Sequence, residues 1–452
     1  MSHNQSVNVR MIVLNVLMAV MEDGEYSDKA IHKALDTYND MDKRDRSFLT
    51  RLSEGTIERC IELDYVIDMY SKTKVRKMKP VIRNILRMGV YQILYMEQIP
   101  DSAACNEAVK LAVKRKFVNL KGFVNGVLRT ISREKDNIKY PDRSDFIRYA
   151  MIKYSMPEWI VKRYVSSYGE EKAERILRAY LSEDKAISVR CNISKASVKD
   201  ICKLLENDGV TVSQGRLSPY ALYIENYGRI TELEAFKKGL IQVQDESSML
   251  VGSILEAEEG YNIIDTCAAP GGKSLHAADL LKGTGKVISC DLTEAKAKLI
   301  RDNVSRNGFN NIEICVSDAL VYNKEWEEKA DIVIADLPCS GLGVIGKKCD
   351  IKYKTREEDI RSLSSIQKNI LKNVSGYVKK GGRLIFSTCT IAEEENEENV
   401  KWINENLPLK SVSIEEDLPP VLKNITGNEG YLQILPYMAD TDGFFISAFV
   451  KK

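Results

Sequence analysis

Three short segments of the chain hold residues whose types and spacing can do chemistry. The first reads Asn262-Ile-Ile-Asp-Thr-Cys-Ala-Ala-Pro-Gly-Gly-Lys273. An apolar strand ends at Asp265, a loop of small residues follows (Cys267, Ala268, Ala269, Pro270, Gly271, Gly272), and a helix opens at Lys273. Glycines in such a loop let a ligand approach the backbone, and the helix N-terminus offers free N–H groups to an anionic end. A phosphate-binding loop of the G-x-x-x-x-G-K-S type needs glycine at 267, where this chain has Cys267; a G-x-G-x-x-G fingerprint is missing too. The loop is expected to take a small ligand that is neither ATP nor NAD. Asp291 closes the next strand, where an acidic residue accepts hydrogen bonds from ribose hydroxyls. Asp318, in Ser-Asp-Ala after the third strand, is placed to reach the base of the same nucleoside.

The second and third segments are Asp336-Leu-Pro-Cys-Ser-Gly-Leu-Gly343 and Ser387-Thr-Cys-Thr390, ending the fourth and fifth strands. Adjacent strands put Cys339 and Cys389 on one rim with the loop. Either cysteine alone reads as a buried structural residue; two flanking one rim point to thiol chemistry. Carbon 5 of cytosine is a poor nucleophile until a thiolate adds to carbon 6 and gives the ring enamine character. That carbon can then attack a sulfonium methyl; a base removes the carbon 5 proton and the thiolate is expelled. Such a thiol needs a lowered pKa, to which the charge of Lys273 can contribute. The residues leave open which cysteine attacks.

The elements that must position these groups alternate strictly from Gln242 onward. Strands are predicted at 262–265, 286–291, 311–316, 331–335 and 383–387, with helices from Lys273, Thr293, Arg356 and Glu393 between them. That alternation implies a parallel, doubly wound sheet with helices on both faces. Tyr431 to Val450, with a turn signal at Asp440–Gly443, predicts a hairpin added at the sheet edge. The acidic run Glu393–Glu398 reads as a helix start suited to the dipole. Before this region, Ile187, Val189 and Cys191 alternate as a strand, Ser197–Asn207 as a helix, and two strands follow Gly209; a helical stretch covers Trp159 to Tyr180. Residues 1–135 carry helical spacing throughout, as in Ile82, Ile85, Leu86, Val90, Ile93 and Leu94, with starts at Ser27 and Asp101.

Bulk properties narrow the class. A chain of 452 residues suggests two or three domains, and no run approaches the roughly 20 apolar residues of a membrane span. The apolar run Met11–Met21 is broken by Asn15 and followed by Glu22 and Asp23, so it reads as a buried first helix rather than a signal peptide. Ten cysteines without C-x-x-C spacing signal neither zinc nor a disulfide framework. Only His3, His32 and His276 are histidines, which weakens any histidine-based triad. The net charge of +1 conceals an asymmetry: residues 1–140 carry 24 basic against 18 acidic side chains, while residues 241–452 sum to −8. A basic front joined to an acidic back fits delivery of nucleic acid to an enzyme.

Together the three segments closely resemble the RsmB/NOP/NSUN family of RNA cytosine-5 methyltransferases, the Ser-Thr-Cys-Thr motif being followed by a Glu-Asn pair. The front end resembles a NusB-type RNA-binding domain in Asp45-Arg-Ser-Phe-Leu, Ile85-Leu-Arg-Met-Gly-Val-Tyr-Gln, Asn106-Glu-Ala-Val and Val124-Asn-Gly-Val-Leu-Arg129. That pairing is typical of the bacterial Sun/Fmu-type branch, which modifies one cytosine of small-subunit (16S) ribosomal RNA. The resemblance implies a multidomain α and α/β chain: an all-helical NusB-like domain over 1–139, linker helices with a small α/β (RRM-like) module over 140–240, and a Rossmann-type, doubly wound class I methyltransferase domain over 241–452. It implies S-adenosyl-L-methionine as cofactor, held by Cys267, Ala268, Ala269, Pro270, Gly271, Gly272 and Lys273 with Asp291, Asp318 and Asp336. Cys389 would be the nucleophile and Cys339 would assist proton removal and product release, with Asp336 and Lys273 contacting and activating the cytosine. The expected partner is small-subunit ribosomal RNA or an early assembly intermediate, met by a cytoplasmic monomer without metal or membrane.

Two positions depart from the family pattern: Leu337 replaces the usual alanine, and Cys349 stands where proline is common, which unsettles the local RNA contact. Glu429 to Tyr437 and Asp442-Gly-Phe-Phe445 match the family's closing hairpin. The rivals are a cytosine-5 methyltransferase of another RNA (transfer RNA or a different ribosomal site) or of DNA, and a docking factor with a vestigial catalytic domain. Both cysteines and the three strand-end aspartates disfavour the last.

Overall fold

The computed structural model of the protein describes residues 8–181, 186–423 and 430–452; His3 and Glu429 lie outside them. It divides into two compact units, Met1–Leu181 with Ile345–Thr355, and Ser182–Val344 with Arg356–Lys452.

The first unit is helical: α1 (Val9–Met21), α2 (Ser27–Thr37), α3 (Lys43–Glu58), α4 (Cys60–Tyr70), α5 (Pro80–Tyr95), α6 (Asp101–Lys114), α7 (Lys121–Glu134), α8 (Phe146–Lys153) and α9 (Glu158–Tyr180). α5 is its centre: the run from Ile82 to Ile93 is buried on nearly every side, as for a helix surrounded by others. α1 is the buried first helix its sequence predicts, capped by the Asn8 side chain accepting from the Met11 amide. α9 runs through a break at Gly169, whose φ of 76° and ψ of 164° only glycine adopts readily.

The second unit opens with a small α/β layer: β1 (Ile187–Cys191), α10 (Val198–Asn207), β2 (Thr211–Gln214), β3 (Ala221–Glu225), α11 (Glu234–Lys237) and β4 (Ile241–Val243). Its four strands are antiparallel in the order β2-β3-β1-β4. The catalytic-type layer follows as α12 (Glu246–Ser253), β5 (Asn262–Asp265), α13 (Gly272–Leu280), β6 (Lys286–Asp291), α14 (Glu294–Asn307), β7 (Ile312–Val316) and β8 (Ala330–Asp336). The chain then contributes a short helix, α15 (Ile351–Lys354), to the first unit and returns as α16 (Glu357–Ser375), β9 (Val378–Thr388), α17 (Glu397–Asn406), β10 (Leu409–Val412), β11 (Tyr431–Ile434) and β12 (Phe444–Lys451).

The large sheet has the order β10-β12-β9-β8-β5-β6-β7. β9, β8, β5, β6 and β7 are parallel, and β12 lies antiparallel to β9, so the sheet is mixed. Strand alternation sends Ile263, Ile332, Ile334 and Ile385 into one core, and Ile264, Val333, Ala335 and Phe386 into another. Apolar layers on both faces are what a doubly wound sheet requires. The closing hairpin differs from its predicted place at the edge: β12 is interior, and β11 and β10 share its outer side, pairing residues 444–447 and 448–451. β4 and β10 are too short to carry an alternation signal of their own.

One further expectation is corrected. Cys290 and Cys315 form a disulfide, where the sequence gave no pairing signal. The parallel register of β6 and β7 makes them direct neighbours with Cα atoms 4.9 Å apart, a relation that their separation of 25 residues conceals. Cys349 belongs to the helical core of the first unit. The segment around it is pinned there: Asp350 accepts from the Ser27 amide (3.0 Å) and hydroxyl (2.6 Å), and Lys352 Nζ donates to the carbonyls of Glu58 (2.6 Å) and Ser155 (2.7 Å).

Candidate active site

Parallel strands present all their C-terminal ends on one edge, and the sequence-predicted residues gather there. Asp265 ends β5, Asp291 ends β6, Asp336 ends β8, and Cys389 follows β9 directly. Asp318 lies two residues past β7 and Cys339 three past Asp336.

The loop between β5 and α13 is shaped by its glycines and by backbone ties. Gly271 sits at φ +100°, a region that L side chains avoid, and immediately precedes the first turn of α13. Ala268 N–H donates to the Cys290 carbonyl (2.8 Å) and Ala269 N–H to Asp291 (2.9 Å). Asp291 thus helps build the loop and also receives the Leu292 amide (2.7 Å) and the Lys296 ammonium (2.8 Å). Asp318 is half-buried and accepts the Leu320 amide at 2.9 Å. Cys267 is packed in an apolar cluster, and burial above all pushes its thiol up to about 12, which leaves it a neutral wall of the loop.

Beneath the loop, Asp265 is fully buried and accepts the Ser274 hydroxyl at 2.7 Å. Burial raises its pKa to about 7, against the help of that hydrogen bond and of Lys273. Lys273 Nζ donates to Asp336 at 2.7 Å, and the other oxygen of Asp336 accepts the Ser387 hydroxyl at 2.8 Å. The ammonium also stands 5.4 Å from the centre of the Phe444 ring. Lys273 is therefore a paired cation on the rim, not a bare one.

The two cysteines meet. Cys339 Sγ and Cys389 Sγ are 3.3 Å apart, both half-buried. Their hydrogen bond, burial, and the neighbouring charges of Cys389 and Glu395 all raise the Cys339 pKa well above the usual thiol range. The loops are tied as well: Gly343 N–H donates to the Cys389 carbonyl at 3.0 Å.

Among the buried charges that sequence reasoning missed, two bond the loops of this rim. Glu395, in the acidic run read as a helix start, is fully buried and accepts from the Ser340 amide (3.0 Å), the Ser340 hydroxyl and Gln367 Nε2 (3.0 Å). Arg190 of β1 is also fully buried and donates to the Gly272 carbonyl (2.7 Å), Gln244 Oε1 (2.7 Å) and Asn192 Oδ1 (2.9 Å). The Glu-Asn pair after the third motif was the one signal for Glu395; nothing in a strand of alternating residues marks Arg190.

Comparison with known proteins agrees with this architecture. The family "16S rRNA methyltransferase RsmB/F" matches residues 252–450, the NusB family residues 7–133, and the RsmF/B-like ferredoxin-like domain residues 156–231. A probable ribosomal RNA small subunit methyltransferase B of Bacillus subtilis (strain 168) is 37% identical, covering 99% of this chain and 100% of that protein. Its counterpart in Synechocystis sp. is 30% identical over 98% of this chain and 100% of its own length. The crystal structure of PH0851 superposes with a TM-score of 0.82 at 27% identity, covering 99% of both chains. With such relatives matching from end to end, the chain belongs to the ribosomal RNA small subunit methyltransferase B family and is an RNA (cytosine-5)-methyltransferase.

Proposed function

We propose that the protein methylates carbon 5 of one cytosine in small-subunit ribosomal RNA, the counterpart of cytosine 967, with Cys389 as covalent nucleophile. The observation that carries this reading is the 3.3 Å approach of Cys339 Sγ to Cys389 Sγ on the rim that also holds the glycine loop. S-adenosyl-L-methionine bound at that loop supplies an electrophilic sulfonium methyl. The residues fit it: Gly271 turns the chain into α13 at a positive φ, the first turn of α13 offers N–H groups to a carboxylate, and Asp291 and Asp318 stand at or just past strand ends, suited to ribose and base.

Cys389 as thiolate adds to carbon 6 of the cytosine, which makes carbon 5 nucleophilic. Asp336, held by Lys273 and Ser387, is oriented to hydrogen-bond the cytosine edge, and Lys273 stabilises negative charge that develops on the ring. After methylation, the carbon 5 proton is lost to solvent with the assistance of Cys339 as a hydrogen-bonding neighbour; the carbon–hydrogen pair re-forms the ring double bond, the carbon–sulfur bond breaks and its electron pair returns to Cys389. The target base must be turned out of its stack, because carbon 6 is shielded in a helix.

Residues 1–139 serve in this reading as the RNA-docking domain, 140–240 as linker and module, and 241–452 as the catalytic domain. The enzyme acts as a cytoplasmic monomer on ribosomal RNA or an assembling subunit. The test is transfer of labelled methyl to small-subunit ribosomal RNA free of its own cytosine-5 marks, with the modified position mapped. Cys389→Ser is expected to abolish transfer while cofactor binding persists, and Cys339→Ser to accumulate a protein–RNA adduct on a denaturing gel. Normal turnover by Cys389→Ser would overturn the assignment, and incorporation into transfer RNA alone would move the substrate.

A further inference from the structure

The loops that carry Cys339 and Cys389 leave the sheet at adjacent strands, and irregular backbone does not fix a sulfur–sulfur distance by itself. A buried polar web does. On the Cys339 side, the Pro338 carbonyl accepts from Gln367 Nε2 at 2.9 Å, and the Ser340 amide and hydroxyl both donate to Glu395. On the Cys389 side, the Thr390 hydroxyl meets the Ser340 hydroxyl at 2.7 Å, and Asn396 takes the Thr390 carbonyl at 3.1 Å. The Thr388 hydroxyl donates to Asn396 Oδ1 at 2.6 Å. Gln367 is itself fixed by Asn399 Nδ2 at 2.7 Å. Glu395, Gln367, Asn396 and Asn399 are all fully buried. Glu395 is the junction: it receives every donor the Cys339 side sends, and the Ser340 hydroxyl it holds is the one that meets Thr390.

We propose that Glu395 is a positioning residue that locks the loops of Cys339 and Cys389 in register and makes the two sulfurs unequal. The proposal rests on the reading of Cys389 as nucleophile. Burial raises the Glu395 pKa, and the donors that converge on it from Ser340 and Gln367 oppose that rise by favouring the carboxylate. Its negative charge stands against the residue next to Cys339 and opposes a second negative charge on that sulfur. The other charged groups near the pair on the rim, Lys273 and Asp336, are joined in an ion pair, which weakens their bias on either thiol. Of two sulfurs in hydrogen-bond contact, Cys339 is therefore the one held as the neutral thiol.

Two substitutions separate the roles of shape and charge. Glu395→Gln keeps the size and most of the web but removes the charge; Glu395→Ala removes both. The measurements are methyl-transfer kinetics, S-adenosylmethionine affinity by calorimetry, and site-resolved alkylation of Cys339 and Cys389 by iodoacetamide in the RNA-free enzyme. Glu395→Ala is expected to lower kcat by about 100-fold, the scale of a misplaced reacting group, with cofactor affinity within about two-fold of the parent. Glu395→Gln is expected to raise alkylation of Cys339 relative to Cys389 by about five-fold or more, a readout that simple loosening of the fold does not move in one direction. Should Glu395→Ala fail to fold, the Gln variant carries the test alone. An unchanged alkylation ratio in Glu395→Gln, or wild-type kcat in Glu395→Ala, overturns the proposal. Cys389→Ala run alongside keeps the two readings apart: if it still turns over, the nucleophile assignment fails; if it is dead while the Glu395 variants behave as wild type, only the role of Glu395 fails.

Discussion

Replacing Arg190 with methionine tests whether the small α/β layer holds the glycine loop proposed to bind the cofactor. The guanidinium makes three donations, to the Gly272 carbonyl, Gln244 and Asn192, all from a fully buried position. Hydrogen bonds to a charged partner contribute roughly 1.5–3 kcal/mol each, so their loss removes about 5–9 kcal/mol. Against this stands relief of the charge's own burial. The pKa of Arg190 is brought down to about 10, chiefly by desolvation and against the pull of Asp279. At ~1.4 kcal/mol per pH unit below the ordinary guanidinium range, that relief is on the order of 3 kcal/mol. The balance leaves Arg190→Met less stable by about 2–6 kcal/mol, a fall in Tm of roughly 5 °C or more for a unit of this size. The Gly272 carbonyl also loses its anchor in the first turn of α13, and S-adenosylmethionine affinity is expected to weaken by about ten-fold, near 1.4 kcal/mol. Thermal unfolding and calorimetric titration read the two effects separately. A lower Tm with unchanged cofactor affinity would refute the claim that this strand organises the loop, and would leave Arg190 as a support of the fold alone.

Gly343→Ala is expected to lower kcat by roughly 100-fold with cofactor binding intact. A Cβ there would stand 2.2 Å from the Gly443 carbonyl oxygen and 2.8 Å from that of Cys389, and only backbone movement relieves backbone clashes. Kinetics at wild-type level would show that the tie between the two loops does not matter to turnover. Asp265→Asn is expected to stabilise the protein at pH 8 by up to about 4 kcal/mol. The folded carboxyl titrates at about 7, above its unfolded range near ~3.9, so wild type loses stability as pH rises from about 4 to 7 and recovers none above it. The advantage of the variant should shrink by more than half at pH 5; a difference in Tm equal at both pH values would refute the burial argument.

The sequence made the second unit legible where local pattern and tertiary role coincide. Ile263, Ile264, Val333 and Ile334 are apolar in neighbouring positions because both sheet faces are covered, and such runs announce interior parallel strands. The rim residues were legible because they follow those strands at once. Short elements were not: β4 has three residues and α11 four, and each exists by virtue of partners far along the chain. Nor can spacing reveal that Asp350 and Lys352, flanked by segments of the second unit, are buried among helices of the first. Buried charge was the largest omission. An arginine in a strand and a glutamate in an acidic run both read as surface, since such residues rarely lose all contact with water unless paired. Arg190 and Glu395 are two exceptions that bond loops of the rim.

That placement follows from what apolar packing cannot do. Hydrophobic contact is non-directional and grows with area, so it holds strands and helices together without fixing the orientation of a loop at their ends. The three loops of this rim begin where the sheet's own hydrogen bonds stop. Each is secured by directional bonds instead: Arg190 at the Gly272 carbonyl, Asp336 between Lys273 and Ser387, Glu395 between Ser340 and Gln367. Inside a low-dielectric interior such bonds strengthen, and an unmatched group becomes expensive, so a partial network is worse than none. The cluster is therefore expected to tolerate substitution poorly, in contrast to apolar positions beside it such as Leu337, which lies in the core. The proposed reaction, with one thiol at carbon 6 of the base and a second beside its departing proton, needs placement to within about half an ångström. Buried polar groups supply that placement here at a cost in stability that an apolar core would not incur.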